Sequence, residues 1–247
     1  MATATAQAPE PHARLRARRT LTWFLLFAVA MFFAALFSAY VVSMGSTEYW
    51  VHFRLPSIFF ISTALIVLGS VTAQWALVVA RRGRSQQATL AIALTFGLGL
   101  AFSWTQFQGW SQLFDRGYAM LGRLSEVKGT YGEDFTISKA NSLDGQRVSL
   151  VLEDGRYYRA DDTARSKPLN NEMDEFKNTA SSYFHVLTYS HFAHVLGGLI
   201  ALLVMVFLAF RGRYTAEDQA GLWAGVMYWH FLAAVWVAIL SFLAIVH

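Results

Sequence analysis

The sequence contains no cysteine and only four prolines among its 247 residues. The absence of cysteine excludes disulfide bonds, thioether-linked haem and cysteine-based zinc sites. Charge is also scarce, since charged residues make up 15% of the chain and hydrophobic residues 55%. Soluble domains are closer to about 25% charged, and an ordinary soluble domain is therefore excluded.

Five stretches of the chain lack Asp, Glu, Lys and Arg altogether. At about 1.5 Å per residue, each is long enough to cross a hydrocarbon core roughly 30 Å thick. We therefore predict an all-α integral membrane protein with five transmembrane helices. The net charge of +4 does not indicate nucleic-acid binding, because the arginines stand at the ends of the apolar runs. The charge-free runs are 21–42, 56–80, 87–114, 183–210 and 219–247.

The arginines next to the spans predict the orientation in the membrane. They precede the first span, separate spans two and three, and separate spans four and five, whereas the opposite side has only Arg54 in its short loop. Cytoplasmic loops carry an excess of Lys and Arg, so the N-terminus is predicted inside and His247 outside. The aromatic residues Trp23, Tyr49, Trp50, Trp110 and Tyr214 are predicted at the membrane interfaces.

This topology divides the chain into four regions: a cytoplasmic arm (1–20), spans one to three (21–114), a periplasmic insert (115–182) and spans four and five (183–247). The arm is not predicted to be a secretory signal, because the apolar run after it is too long for a signal core. Within the insert, residues 146–159 predict a β-hairpin, since Asp154-Gly155 tolerates the positive φ angles of a tight turn.

Histidines are the only residues of these runs that ionise near neutral pH. His191 and His194 share one face of span four, and His230 lies at similar depth in span five. On adjacent helices, His194 and His230 could ligate a haem iron as in membrane cytochromes b, bind another metal, or form an interhelical hydrogen bond. The bulky residues around His230 favour the hydrogen bond, because a haem needs small neighbours.

Two sequence blocks resemble subunit III of the haem–copper oxidases. Residues Ser182–Gly198, which include His191 and His194, are similar to the family pattern S-x-F-x-x-x-T-x-x-H-x-x-H-V-x-x-G. Residues Tyr228-Trp229-His230-Phe231, followed by Trp236, are similar to the pattern YWHFVD-x-x-W. Residues 31–40 and the stretch 98–113, with Gln106 and Trp110, agree more weakly and in the same order. Five spans match the shorter bacterial form of the family.

The resemblance implies a non-catalytic subunit of a respiratory terminal oxidase in the bacterial inner membrane. Haem and copper would belong to subunits I and II, so that this chain would bind no redox centre and hold phospholipid, mainly at spans one to three. Cytochrome c or another respiratory complex could meet the outside insert. An accessory subunit of a nitric oxide reductase is an alternative from the same superfamily. The residues assigned to lipid contact are Arg19, Trp23, Tyr40, Trp75 and Arg81.

Two positions depart from the family pattern. Family members commonly have an acidic residue where Val29 and Ala233 stand in this chain. In the family, these acids are linked to lipid contact and to proton uptake by the neighbouring catalytic subunit. The resemblance therefore implies a more apolar, scaffold-like version of the subunit.

Overall fold

A computed structural model of the protein describes residues 11–140, 147–214 and 220–246. Within these residues, five helices are long and apolar enough to cross a membrane, which confirms the predicted fold class. They are α1 (Pro11–Ser46), α2 (Ile58–Arg81), α3 (Ser85–Asp115), α5 (Thr179–Phe210) and α6 (Ala220–Val246), while α4 (Asn170–Glu175) is a short helix of the insert.

Helix α1 begins ten residues before the predicted span, so the described part of the predicted arm is helical and not an irregular segment. Arg, Ala and Leu dominate this stretch and are among the strongest helix formers. Helix α5 also begins early, at Thr179, because the side-chain oxygen of Asn178 accepts a hydrogen bond from the backbone N–H of Ser181 (3.1 Å) and caps the helix.

The insert folds into an antiparallel sheet whose strands follow one another in the order β1, β2, β3, β4. The predicted hairpin is confirmed, since Glu153 pairs with Arg156 across a two-residue turn. Both turn residues have positive φ, 50° at Asp154 and 73° at Gly155, as a primed turn requires. Gln146, which the prediction included, lies outside the described residues. The strands are β1 (Tyr49–Phe53), β2 (Phe135–Ala140), β3 (Arg147–Glu153) and β4 (Arg156–Arg159).

Strand β1 comes from the loop between α1 and α2 and was not predicted. Its residues Tyr49 and Trp50 are buried to 1% exposure each, and Trp110 of α3 to 6%, so none of these three rings faces lipid as an interfacial aromatic residue would. Tyr49 pairs with Lys139 and Phe53 with Phe135 across the sheet. The first loop and the insert therefore lie at the same end of the helices, as five antiparallel crossings require. Orientation relative to the membrane stays a prediction, and His247 lies outside the described residues.

The sheet and the helix ends share one continuous core. The ring of Phe53 stacks on Tyr118 with centroids 4.4 Å apart and meets Phe184 of α5 edge-on at 5.6 Å. We call residues 47–57 together with the described part of 116–178 the cap. Because the cap packs directly on the bundle, it is part of one folded unit and not a tethered domain.

Candidate functional site

The block Tyr228-Trp229-His230 sends consecutive side chains to different neighbouring helices, because successive helical residues are about 100° apart. The hydroxyl of Tyr228 donates to the backbone carbonyl of His194 on α5 (3.1 Å). Trp229 is fully buried in the bundle. The ring of His230 turns to α2. This short block therefore joins α6 to its neighbours on several sides.

Trp229 is surrounded by glycines from three other helices. A Cβ added at Gly69 of α2, Gly99 of α3 or Gly198 of α5 would lie 3.1, 2.7 or 3.4 Å from an atom of the indole ring. Three helix backbones therefore approach one ring. The sequence alone favours close helix contact at Gly97, Gly99, Gly197 and Gly198. The structure confirms this for Gly99 and Gly198, whereas a Cβ at Gly97 would meet no atom within 4 Å and one at Gly197 only the Tyr228 hydroxyl at 3.8 Å; Gly69 was not predicted.

His191 makes a hydrogen bond from α5 to α6. Its Nε2–H donates to the backbone carbonyl of Leu232 on α6 (2.9 Å), and its Nδ1 is buried with no hydrogen-bond partner in the described structure. His194 instead donates from Nδ1 to Ser190 of its own helix (2.7 Å). The His194 ring lies against Phe33 of α1, with centroids 5.5 Å apart.

His230 is hydrogen-bonded to two residues of α2. Its Nε2 lies 3.1 Å from Oε1 of Gln74, and its Nδ1 is hydrogen-bonded to Oγ of Ser70. Since His194 faces α1 and His230 faces α2, the structure does not bring these rings together. The predicted contact between them, whether as haem ligands or as a hydrogen-bonded pair, is therefore wrong.

The remaining motif residues bond inside the bundle. The indole N–H of Trp110 donates to Oγ1 of Thr188 (3.2 Å), which joins α3 to α5. The indole N–H of Trp236 donates to Oγ1 of Thr63 (2.9 Å), which joins α6 to α2. Gln106 donates to Oγ of Ser62 (2.9 Å) and joins α3 to α2. Each of these three side chains thus connects two spans.

The residues assigned to lipid contact are dispersed. Trp23 is 59% exposed on α1, and Arg19 lies 5.4 Å from the ring centroid of Trp223 on α6. Trp75 and Arg81 are exposed on α2. Tyr40 is fully buried against Trp50, Tyr183 and Phe242, so its ring does not reach a lipid-facing surface of this chain.

An apolar cleft of about 560 Å³ opens between α1 and the pair α5–α6. Thr22 and Leu25 contribute one wall, and Ala201 and Tyr228 lie opposite. Arg19 lies less than one turn before Thr22, and Trp23 directly follows it, so both adjoin the cleft. Trp75 and Arg81 of α2 do not. Spans one, four and five thus line the cleft, and lipid contact at spans one to three stays a prediction.

One ionic cluster ties the cap together. The ammonium group of Lys139 lies 2.6 Å from Glu172 of α4, 3.1 Å from Glu48 and 3.1 Å from the hydroxyl of Tyr49. Burial raises the pKa of Tyr49 to about 12. The hydrogen bond from Lys139 lowers the pKa of Glu172 below its ordinary value. Burial opposes the charge of Lys139, yet its bonds to Glu172, Tyr49 and Glu48 raise its pKa.

Among the described residues, no three His, Cys, Asp or Glu side chains cluster so that they could hold a metal ion. The buried side chains of His191, Trp110 and Trp236 each make a hydrogen bond between helices, which serves packing. Sequence reasoning missed Ser70, Gln74 and Lys139. The two residues on α2 carried a detectable signal, since polar side chains inside an apolar run are unusual.

These features define a multi-pass membrane protein of five apolar helices with a folded cap at one end. No family model matches the chain. It is 40% identical over 76 residues to the probable cytochrome c oxidase subunit 3 of Rickettsia prowazekii, covering 29% of this chain and 27% of that protein. It is 35% identical over 69 residues to cytochrome c oxidase subunit 3 of Synechocystis, covering 28% and 30%.

A longer alignment is found with the cytochrome bo(3) ubiquinol oxidase subunit 3 of Pseudomonas aeruginosa, 22% identical over 223 residues and covering 89% of this chain and 80% of that protein. The chain spans less than a third of the length of the first two relatives. The homologues are thus subunit 3 proteins of cytochrome c and ubiquinol oxidases, and they support the assignment of this chain to the subunit III family.

Proposed function

We propose that this chain is the non-catalytic third subunit of a respiratory haem–copper terminal oxidase in a bacterial inner membrane. It packs beside subunit I in a complex with subunits I and II, which hold the haem and copper. The observation that carries the proposal is the set of subunit 3 relatives, found for a five-helix chain that resembles subunit III in its two histidine-containing blocks.

Purification of the tagged chain from native membranes in mild detergent tests this assignment. We expect two larger subunits to co-purify with haem, copper and oxygen-reducing activity. After the subunits are separated, the haem absorption band should stay with the partners. If the band stays with this chain alone, or if the co-purified enzyme consumes nitric oxide and not oxygen, the assignment is overturned.

The chain also holds phospholipid in the cleft between α1 and α5–α6. Its lining is mostly apolar and suits an acyl chain, and Arg19 and Arg213 flank it with exposed positive charge that suits a lipid phosphate. The change Ala201→Phe should fill the cleft and lower the number of lipids retained in native mass spectrometry. Ala193→Phe, at an exposed position of the same helix outside the cleft lining, is the control. Equal lipid retention in both variants would contradict this site.

The chain supports the stability of the complex and proton uptake by subunit I. Val29 and Ala233, where the family has acids, are buried at 7% and 5% exposure. Any such support therefore comes from packing and lipid and not from acids at these two positions.

The outer surface of the cap serves as a docking site for cytochrome c or another respiratory complex. The hairpin tip at Arg156 is exposed and lies away from the bundle core. Deleting residues 116–178 would uncover Tyr49 and Trp50 of β1, which pairs with β2 of that segment, so a surface change is the better test. Arg156→Glu should alter the KM for the electron donor and leave the thermal stability unchanged. An unchanged KM and an unchanged yield of partner complexes would remove this part of the proposal.

A further inference from the structure

Three polar side chains lie together on the outer side of the bundle where α2 meets α6. We call Ser70, Gln74 and His230 the polar cluster. Gln74 is exposed, and the other two are half-buried. Ser70 is about 16 Å by helical rise from the nearer end of α2, and His230 is about 15 Å from the nearer end of α6. The polar cluster therefore lies deep within the hydrocarbon layer and not at its edge.

The hydrogen bonds of the polar cluster run in one direction. With His230 neutral, Nε2–H donates to Oε1 of Gln74, and Nδ1 accepts from the hydroxyl of Ser70. The amide nitrogen of Gln74 then remains as a donor at the outer end. No group among the described residues accepts a hydrogen bond from it, and the residue is exposed.

A lipid chain is a poor neighbour for such a group. Hydrocarbon offers no acceptor, and a polar group left unpaired there is costly. Polar side chains in spans usually face other helices or water-filled cavities. By contrast, the exposed side of α1 is lined by apolar residues such as Phe24, Phe27 and Met31, which suits lipid.

The surface beside the polar cluster allows close approach of another helix. Ala234 and Ser241 are small, exposed, and on the same side of α6 as His230 at spacings of four and eleven residues, with the larger Val237 between them. Small residues let helix backbones approach closely, so that interhelical hydrogen bonds can form. Shape and bonding capacity thus coincide on one face.

We propose that the polar cluster marks the face through which this chain packs against a membrane helix of a partner protein, which accepts a hydrogen bond from Gln74 through a hydroxyl or carbonyl oxygen. The inference rests on the proposed function only in that it requires the chain to be part of a membrane complex. It adds which face makes the contact and what chemistry the partner presents there.

Photo-crosslinking in native membranes tests which molecule covers this face. A benzophenone amino acid at Val71, which is 60% exposed beside the polar cluster, should crosslink to a partner protein. The same probe at Phe24, 67% exposed on α1, should crosslink to lipid and not to that partner. The inference is overturned if the probe at Val71 crosslinks to lipid alone or to a second copy of this chain. It is also overturned if the probe at Phe24 crosslinks to the partner and the probe at Val71 does not.

Substitution tests the hydrogen bond itself. Gln74→Leu should lower the amount of partner retained at limiting concentration about threefold to tenfold, because interhelical hydrogen bonds of this kind are modest. Gln108→Leu, at another exposed amide on α3, should leave retention unchanged. Thermal melting of both variants shows whether the chain itself is folded. Equal retention of partner by the two variants contradicts the role of Gln74.

The two proposals fail in different ways. If no oxidase subunit co-purifies with the wild-type chain, the proposed function fails, while a crosslink from Val71 to some other membrane protein would still support the contact face. If oxidase subunits co-purify and Val71 does not reach them, the function stands and the contact face is wrong.

Discussion

At the residue scale, the position of Trp229 makes the bundle sensitive to single methyl groups. Gly99→Ala would place a Cβ 2.7 Å from atoms of both Trp229 and Leu199. The indole is fully buried and cannot move away, so overpacking should destabilise the bundle by about 1–3 kcal/mol. Thermal melting of the detergent-solubilised chain measures the loss.

A matched control lies two residues away on the same helix. Gly97→Ala meets no atom within 4 Å and removes a flexible residue from a helix. It should therefore leave stability unchanged or raise it by about 0.5–1 kcal/mol. Identical melting of the two variants would show that the approach of α3 to Trp229 is not tight.

The same residues show how far sequence reasoning reaches. The blocks around His191 and Trp229 could be recognised from the chain alone, and Gly99 could be assigned to helix contact. The partners of His194 and His230 could not, because helical rise fixes the depth of a residue and not the rotation of its helix against the others. That rotation depends on the packing of all five spans.

At the element scale, the cluster around Lys139 should make cap stability depend on pH. The pKa of Glu172 is lowered in the folded protein from its ordinary value of 4.5. The stabilisation of the cap by charged Glu172 is therefore complete above pH 4.5. It is lost as the pH falls through the lower pKa that Glu172 has in the folded protein. The expected loss is on the order of 0.5–1 kcal/mol, since the pair is partly exposed.

Hydrogen exchange of β1 and β2 amides, corrected for intrinsic rates, measures this effect. Protection should fall between pH 7 and the acid range in the wild type. In Glu172→Gln, the protection should be lower at pH 7 and should vary less with pH. The raised pKa of Lys139 does not produce the acid loss, because an ammonium group stays charged below its ordinary pKa of 10.5. A wild type and a variant with the same pH profile would contradict the role of Glu172.

The turn of the hairpin gives a second prediction at this scale. Gly155 has φ of 73° and directly follows Asp154, which also has positive φ. Gly155→Ala should destabilise the β3–β4 hairpin by about 1 kcal/mol, because a side chain is disfavoured at such angles. Faster exchange of β4 amides, with α5 and α6 unchanged, is the expected result. Unchanged exchange in β4 would show that the turn does not control the hairpin.

The hairpin was predictable and strand β1 was not, for a physical reason. Asp154-Gly155 is a local signal, since the turn depends on two adjacent residues. The partner of Tyr49 is Lys139, ninety residues further along the chain. Aromatic residues just beyond a span are also typical of a membrane interface. Only the sheet shows that Tyr49 and Trp50 are core residues.

At the scale of the whole molecule, the two ends of the bundle differ in charge. The turn from α2 to α3 contains Arg82 and Arg84, and Arg211 and Arg213 follow α5 at that same end. The cap, at the opposite end, contains acidic and basic residues in similar numbers. Because positive loops remain on the cytoplasmic side, we expect the cap to face outward.

The lack of cysteine makes this orientation testable with single cysteines. Thr163→Cys lies at an exposed position of the cap, and Ser85→Cys at an exposed position at the opposite end. A membrane-impermeant maleimide should label the first in intact spheroplasts and the second only in inverted vesicles. Oxidase activity and expression equal to wild type confirm that each variant is assembled. The reverse labelling pattern would mean that the arginines at the α2–α3 turn do not control insertion, and the cap would then face the cytoplasm.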